Sequence, residues 1–95
     1  MYWLKVRMAR KVYPTKQLKR DAKKHHLELL TPAWAEVLNC LVKDQPLPEK
    51  YKDHALTGNW SSCRDCHIKP DLVLIYEIRG NDVLLHRLGS HSELF

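Results

Sequence analysis

The sequence predicts an α+β fold in which two antiparallel N-terminal helices pack across an antiparallel sheet of four to five short strands. Three observations carry that expectation. Apolar residues recur at helical spacing between residues 15 and 41, Pro46-Leu47-Pro48 then breaks the pattern, and the rest of the chain falls into short extended segments separated by turn sequences. With 95 residues, 44% hydrophobic and 28% charged, the chain suits one domain spanning 1–95.

Residues 7 to 13, Arg-Met-Ala-Arg-Lys-Val-Tyr, read as a short opening strand, and Pro14-Thr15 supplies a break followed by a helix cap. From Thr15, Leu18, Ala22 and Leu29 or Leu30 form one apolar stripe, while Lys and Arg occupy the other face. A second helix starts at Thr31-Pro32, where the hydroxyl caps free backbone N–H groups and proline suits the first helical position. Trp34, Val37, Leu38 and Leu41 follow the i, i+3, i+4, i+7 pattern, with Cys40 read as core, and Pro46-Leu47-Pro48 is expected to stop the helix.

After Tyr51 the extended segments are Cys63–Ile68, Leu72–Ile78 and Val83–Leu88, with turns at Lys69-Pro70-Asp71 and Gly80-Asn81-Asp82. They predict an antiparallel meander. The run Leu72-Val-Leu-Ile-Tyr lacks alternation, as a central strand covered on both faces would.

The net charge of +5 is uneven: residues 1–30 hold nine Lys/Arg against Asp21 and Glu28, and the remainder is net acidic. A basic half suits a polyanion or an acidic partner, although a solvated helix face explains the charge equally well. Met1 to Val6 is followed at once by Arg7, Arg10 and Lys11, which is unlike a signal peptide, and no window approaches the roughly 20 apolar residues of a membrane span. Three cysteines, Cys40, Cys63 and Cys66, cannot all pair within the chain. A cytoplasmic protein with free thiols and no membrane contact is the expectation.

Four of six histidines, His54, His67, His86 and His91, fall in the strand-rich half beside Asp53, Asp65 and Asp71. Metal-free RNA cleavage needs a base for the 2′-OH proton, an acid for the leaving 5′ oxygen and cationic support for the transition state. Imidazole serves all three near neutrality, so His54, His67 and His91 are candidates; His25 and His26, at the end of a basic helix, read as surface residues. Two other chemistries compete for the same segment. Cys63-Arg-Asp-Cys66-His67 matches the C-x-x-C-H pattern of covalent haem attachment, but on a strand Cys63, Asp65 and His67 face one way and Cys66 the other. A four-ligand zinc site also lacks a second cysteine or histidine pair at finger-like spacing. No cofactor and no metal are therefore expected.

Three ordered segments carry a family resemblance: Leu47-Pro-Glu-Lys-Tyr-Lys-Asp-His54-Ala-Leu-Thr-Gly-Asn-Trp60, then Arg64-Asp-Cys-His67-Ile-Lys-Pro-Asp71-Leu-Val-Leu-Ile-Tyr76, then Arg87-Leu-Gly-Ser-His91-Ser-Glu-Leu-Phe95. Together they resemble the YafQ-type toxins of the RelE superfamily over residues 8 to 95. The resemblance implies two helices against a curved antiparallel sheet, and a ribosome-dependent endoribonuclease that cuts mRNA in the ribosomal A site and is silenced by a cognate antitoxin. It places His54, His67, Asp71, His91 and Phe95 at the family's active-site positions. Within that set, His91 and Asp71 are assigned proton transfer, with His91 as general acid; His54 and His67 support the phosphate, and Phe95 orients the RNA. Lys52, Arg64 and Arg87 are expected to contact RNA. Leu72 stands where relatives can carry tryptophan, which predicts a lost stacking surface beside Asp71. The expected partners are the antitoxin, ribosomal RNA and mRNA; the competing class is a non-enzymatic inhibitor of DNA gyrase, like the related ParE-type proteins.

Overall fold

A computed structural model describes residues 9–95. The elements run β1 (Lys11–Pro14), α1 (Lys16–Lys24), α2 (Pro32–Val42), β2 (His54–Ala55), β3 (Arg64–Lys69), β4 (Leu72–Arg79), β5 (Asp82–Gly89) and α3 (His91–Leu94). A 3₁₀ segment, His26–Leu30, links the first two helices, and shorter ones at Glu49–Tyr51 and Gly58–Trp60 flank β2. The opening strand begins at Lys11; Arg7 and Met8 of the expected strand lie outside the described residues.

The five strands form one sheet in the order β1-β5-β4-β3-β2. β3 to β5 make the expected antiparallel meander and β2 extends it, but the sheet is mixed, because β1 pairs parallel to β5 with Lys11 opposite Asp82 and Pro14 opposite Leu85. Parallel neighbours need a long crossover, and the helices together with three strands provide it. Pro14, which lacks an N–H, sits on this edge strand, where the missing donor costs no ladder bond. The tight β4–β5 turn places Gly80 at φ +60°, the left-handed value a two-residue hairpin asks of its first central residue.

α1 and α2 each begin where the sequence places their caps and end earlier than expected. The Thr15 hydroxyl accepts from Leu18 N at 3.0 Å, and the Thr31 hydroxyl from Trp34 N at 3.4 Å. α1 stops at Lys24, and the chain tightens into the 3₁₀ segment because Thr31, preceding proline, is held extended at ψ 151°. α2 stops at Val42, ahead of Pro46: Asp44 turns left-handed at φ 54° and Gln45 N donates back to the Cys40 carbonyl at 2.9 Å, a Schellman-type closure. What the sequence suggests as a helix pair is thus two helices seated on different strands, α1 on β5 and α2 on β3.

The main core lies between helices and sheet. Leu18, Val37 and Leu41 meet Cys66, Ile68, Leu72, Leu74, Tyr76, Val83, Leu85 and Leu88, and of the alternatives Leu29 and Leu30 the chain packs Leu29 and leaves Leu30 exposed. A smaller cluster, Cys63, Val73, Ile75 and Leu94 with Leu56 and Trp60 against it, occupies the other face of the sheet. β4 is buried from Leu72 to Glu77, as its central position requires. Cys66 and Cys63 therefore sit on opposite faces, which separates the halves of the C-x-x-C-H pattern.

Candidate active site

Strand alternation sends His67 and Asp65 to the face away from the main core while Cys66 and Ile68 enter it. β2 pairs His54 directly opposite Asp65. The backbone leaving β5 turns at Ser90 and delivers His91 as the first residue of α3. The outcome is a row of rings along one edge of the open face: His54 to His67 at 6.5 Å between centroids, His67 to His91 at 5.4 Å, and His91 to Phe95 at 5.5 Å.

Each ring has a local anchor. His54 Nδ1 lies 2.8 Å from the Lys52 carbonyl and His67 Nδ1 lies 3.3 Å from the Pro70 carbonyl. A ring N–H donated to those carbonyls leaves Nε2 as the atom available to a ligand. His91 is anchored through its backbone: its N–H points to Asp71 Oδ1 at 3.4 Å, so Asp71 meets the His91 main chain rather than its ring.

α3 is held by a capping box. The Ser90 hydroxyl accepts from Glu93 N, and Ser90 N donates to Glu93 Oε1 at 2.8 Å. Glu93 also pairs with Lys24 and with His25 Nε2 at 3.2 Å, tying α3 to the end of α1. The Lys24 ammonium, together with the Ser90 N–H, draws the Glu93 carboxyl down to about 2. Gly89 makes room for this arrangement, since a Cβ there would stand 2.9 Å from Glu93 Oε1 and 3.3 Å from Leu94 Cδ2.

Beneath the row lies Asp65, only 2% exposed. Its Oδ1 is 3.0 Å from His54 Nδ1, yet that ring N–H is aligned on the Lys52 carbonyl, so Oδ1 has no aligned hydrogen bond. Burial pushes the Asp65 carboxyl up, and His54, His67 and His91 pull against that shift. Sequence reasoning passed over Asp65 as a site residue, although its place two residues before His67 on a strand put it on the same face.

The expected cations are distributed differently. Lys52 is exposed and in left-handed backbone conformation at φ 50°, next to the row. Arg64 instead forks onto Asp53 at 3.2 and 3.1 Å, and Arg87 onto Asp21 at 2.8 and 3.3 Å. Both guanidiniums are thus engaged by carboxylates. Leu72 is 5% exposed in the helix-side core, so this position presents no surface beside Asp71; a change there alters packing.

The model of the YafQ family, bacterial toxins of type II toxin-antitoxin systems, matches residues 10–95. The chain belongs to the YafQ toxin family. It is 41% identical over 91 residues to a putative toxin YafQ of Haemophilus influenzae, covering 87% of this chain and 89% of that protein. Over 50 residues it is 46% identical to the mRNA interferase toxin YafQ of Escherichia coli K12, covering 53% of this chain and 54% of that protein. An mRNA interferase is an endoribonuclease. Among solved structures, a copper-bound mutant toxin from Helicobacter pylori aligns with TM-score 0.82 and 42% identity, over 90% of this chain and 98% of that one. YafQ in the DinJ-YafQ complex of Escherichia coli aligns with TM-score 0.77 and 32% identity over the same shares. The YafQ fold accounts for the mixed sheet and the terminal α3, and no helix among the described residues is long and apolar enough to cross a membrane.

Proposed function

We propose that this YafQ-family chain, acting as a single domain in the cytoplasm, is a ribosome-dependent endoribonuclease that cleaves mRNA in the ribosomal A site and is neutralised by a cognate antitoxin. The observation that carries the reading is the row of three imidazoles, 5.4 to 6.5 Å apart, ending on an exposed Phe95. A row of that spacing spans a phosphodiester and the sugar before it, so different rings can address the attacking and leaving oxygens.

In this reading Asp71, whose carboxylate also meets the His91 main chain, takes the 2′-OH proton, and His91 protonates the leaving 5′ oxygen. His54 and His67, as imidazolium ions, would donate Nε2–H to the phosphate and stabilise its added charge, with Asp65 beneath them. Phe95 stacks on a neighbouring base. Lys52 supplies a nearby cation, and Arg64 and Arg87, oriented by Asp53 and Asp21, offer their remaining N–H groups to RNA. The basic face of α1, with Lys16, Lys19, Arg20, Lys23 and Lys24, suits ribosomal RNA and equally an acidic antitoxin segment.

Induced expression tests this directly. The wild-type chain is expected to arrest growth and truncate translated messages, and His91→Ala at equal abundance to permit growth with intact messages. Growth arrest with intact messages would favour gyrase inhibition, and full toxicity of His91→Ala would remove His91 from the chemistry.

A further inference from the structure

At the far end of the open face, three side chains from successive strands converge. Cys63 lies just ahead of β3, Glu77 on β4 and His86 on β5, with the thiol, a carboxylate oxygen and an imidazole nitrogen all within 4.8 Å of one another. We propose that Cys63, Glu77 and His86 form a zinc-binding site, separate from the histidine row and completed by water.

The donor set comes first. Thiolate, imidazole and carboxylate are the three protein ligands zinc takes, and in a tetrahedral shell with bonds of about 2.0 to 2.3 Å the donors stand roughly 3.2 to 3.8 Å apart. The three atoms need only small side-chain movements to reach that spacing. Thiolate and carboxylate together also balance the charge of one divalent cation.

The backbone is built to bring them together. Cys63 is fixed on both sides, its N–H donating to the Trp60 carbonyl at 2.8 Å and its carbonyl accepting from Leu56 N at 3.0 Å. His86 owes its direction to a bulge: Tyr76 pairs with Leu85 and Ile75 with Arg87, so His86 is the extra residue of β5. Bulges re-aim a side chain, and this one sends His86 toward Glu77, 2.9 Å from Nε2 to Oε1.

The surroundings match those of a ligand group. Arg79 holds the other Glu77 oxygen, Oε2, at 3.1 and 3.0 Å, which orients the carboxylate and leaves Oε1 on the His86 side. Trp60 stands edge-on to His86 at 6.0 Å, and Leu56 and Trp60 roof the apolar cluster that contains Cys63. Val73, Ile75 and Leu94 fill the space between this site and the histidine row, which has no thiol. Linear spacing pairs Cys63 with Cys66, on the wrong face; the partners that share its face are fourteen and twenty-three positions away.

The test is titration of the full chain with Co²⁺, a spectroscopic substitute for zinc whose bond to thiolate produces an intense near-ultraviolet charge-transfer band. Wild type, Cys66→Ser and His91→Ala are expected to show the band and to lose it when zinc is added. Cys63→Ser is expected to abolish it. His86→Gln, at a half-buried position where folding is tolerant, should weaken binding by about 100-fold, and Arg79→Gln by about tenfold. Near-ultraviolet circular dichroism checks that Cys63→Ser is folded, and His86→Gln decides the matter if it is not. Cobalt binding without the thiolate band, a band that survives His86→Gln at undiminished affinity, one lost in His91→Ala instead, or no binding at all would each overturn the proposal.

Discussion

The two faces of the sheet are built from the same strands and do opposite things. Under the helices, Val37, Leu74, Val83 and Leu88 are sealed from water, and Asp21 enters paired with Arg87 and the Leu88 N–H. On the open face Val73, Ile75 and Leu94 lie between the histidine row at one end and Cys63, Glu77 and His86 at the other. β3 shows the division in consecutive residues, with Asp65 and His67 on one side and Cys66 and Ile68 on the other. The larger core lies on the helix side and the proposed chemistry on the open side, so substitutions should separate the two.

The largest separation is expected at His91, exposed and in the row. His91→Ala should lower mRNA cleavage by roughly 10²- to 10⁴-fold, the usual contribution of a general acid or base. Its unfolding free energy should stay within about 0.5 kcal/mol of wild type. The mirror case is Leu74→Ala, in the centre of β4 with no exposure. It should cost about 2 to 5 kcal/mol in urea unfolding while cleavage per folded molecule is unchanged. If Leu74→Ala loses activity while still folded, the faces are not independent.

Asp21→Asn sits between these extremes. It removes the charge that meets Arg87 and weakens the acceptor for Leu88 N, and should destabilise by about 1 to 3 kcal/mol by the same unfolding measurement. The freed Arg87 also tests the RNA-contact expectation: tighter RNA binding by Asp21→Asn supports it, and unchanged binding confines Arg87 to the core edge.

The smallest effect is a pH dependence at α3. The folded Glu93 carboxyl lies at about 2, below its ordinary 4.5, because of Lys24 and the Ser90 cap. A depressed acid contributes stability above its ordinary value and loses it as pH falls. The docking of α3, followed by the His91 and Phe95 resonances, should therefore weaken between about pH 4.5 and 2. Glu93→Gln should flatten that response.

Much of this was legible in sequence where periodicity and turn chemistry act over short spans. The stripe Trp34, Val37, Leu38, Leu41, the caps at Thr15 and Thr31, and the strands around Leu72–Tyr76 all follow from neighbours within a few residues. Two-residue β2 is too short for any period, and the parallel pairing of β1 with β5 depends on residues about seventy positions apart. α3 carried a readable signal, since Ser90-His-Ser-Glu93 is a capping-box sequence, although four residues give no apolar period. In the site, the family motifs pointed to His54, His67 and His91, which the fold does bring into one row. They could not reveal that Arg64 and Arg87 meet carboxylates 11 and 66 positions away, or that Asp65 underlies the imidazoles.

The most direct test of the central claim is the single-turnover rate of mRNA cleavage on ribosomes programmed with a defined A-site codon, measured for wild type, His91→Ala and His86→Gln. A catalytic histidine row predicts rapid cleavage by wild type and His86→Gln and a loss of at least about 100-fold for His91→Ala. Cleavage by His91→Ala at the wild-type rate would contradict it.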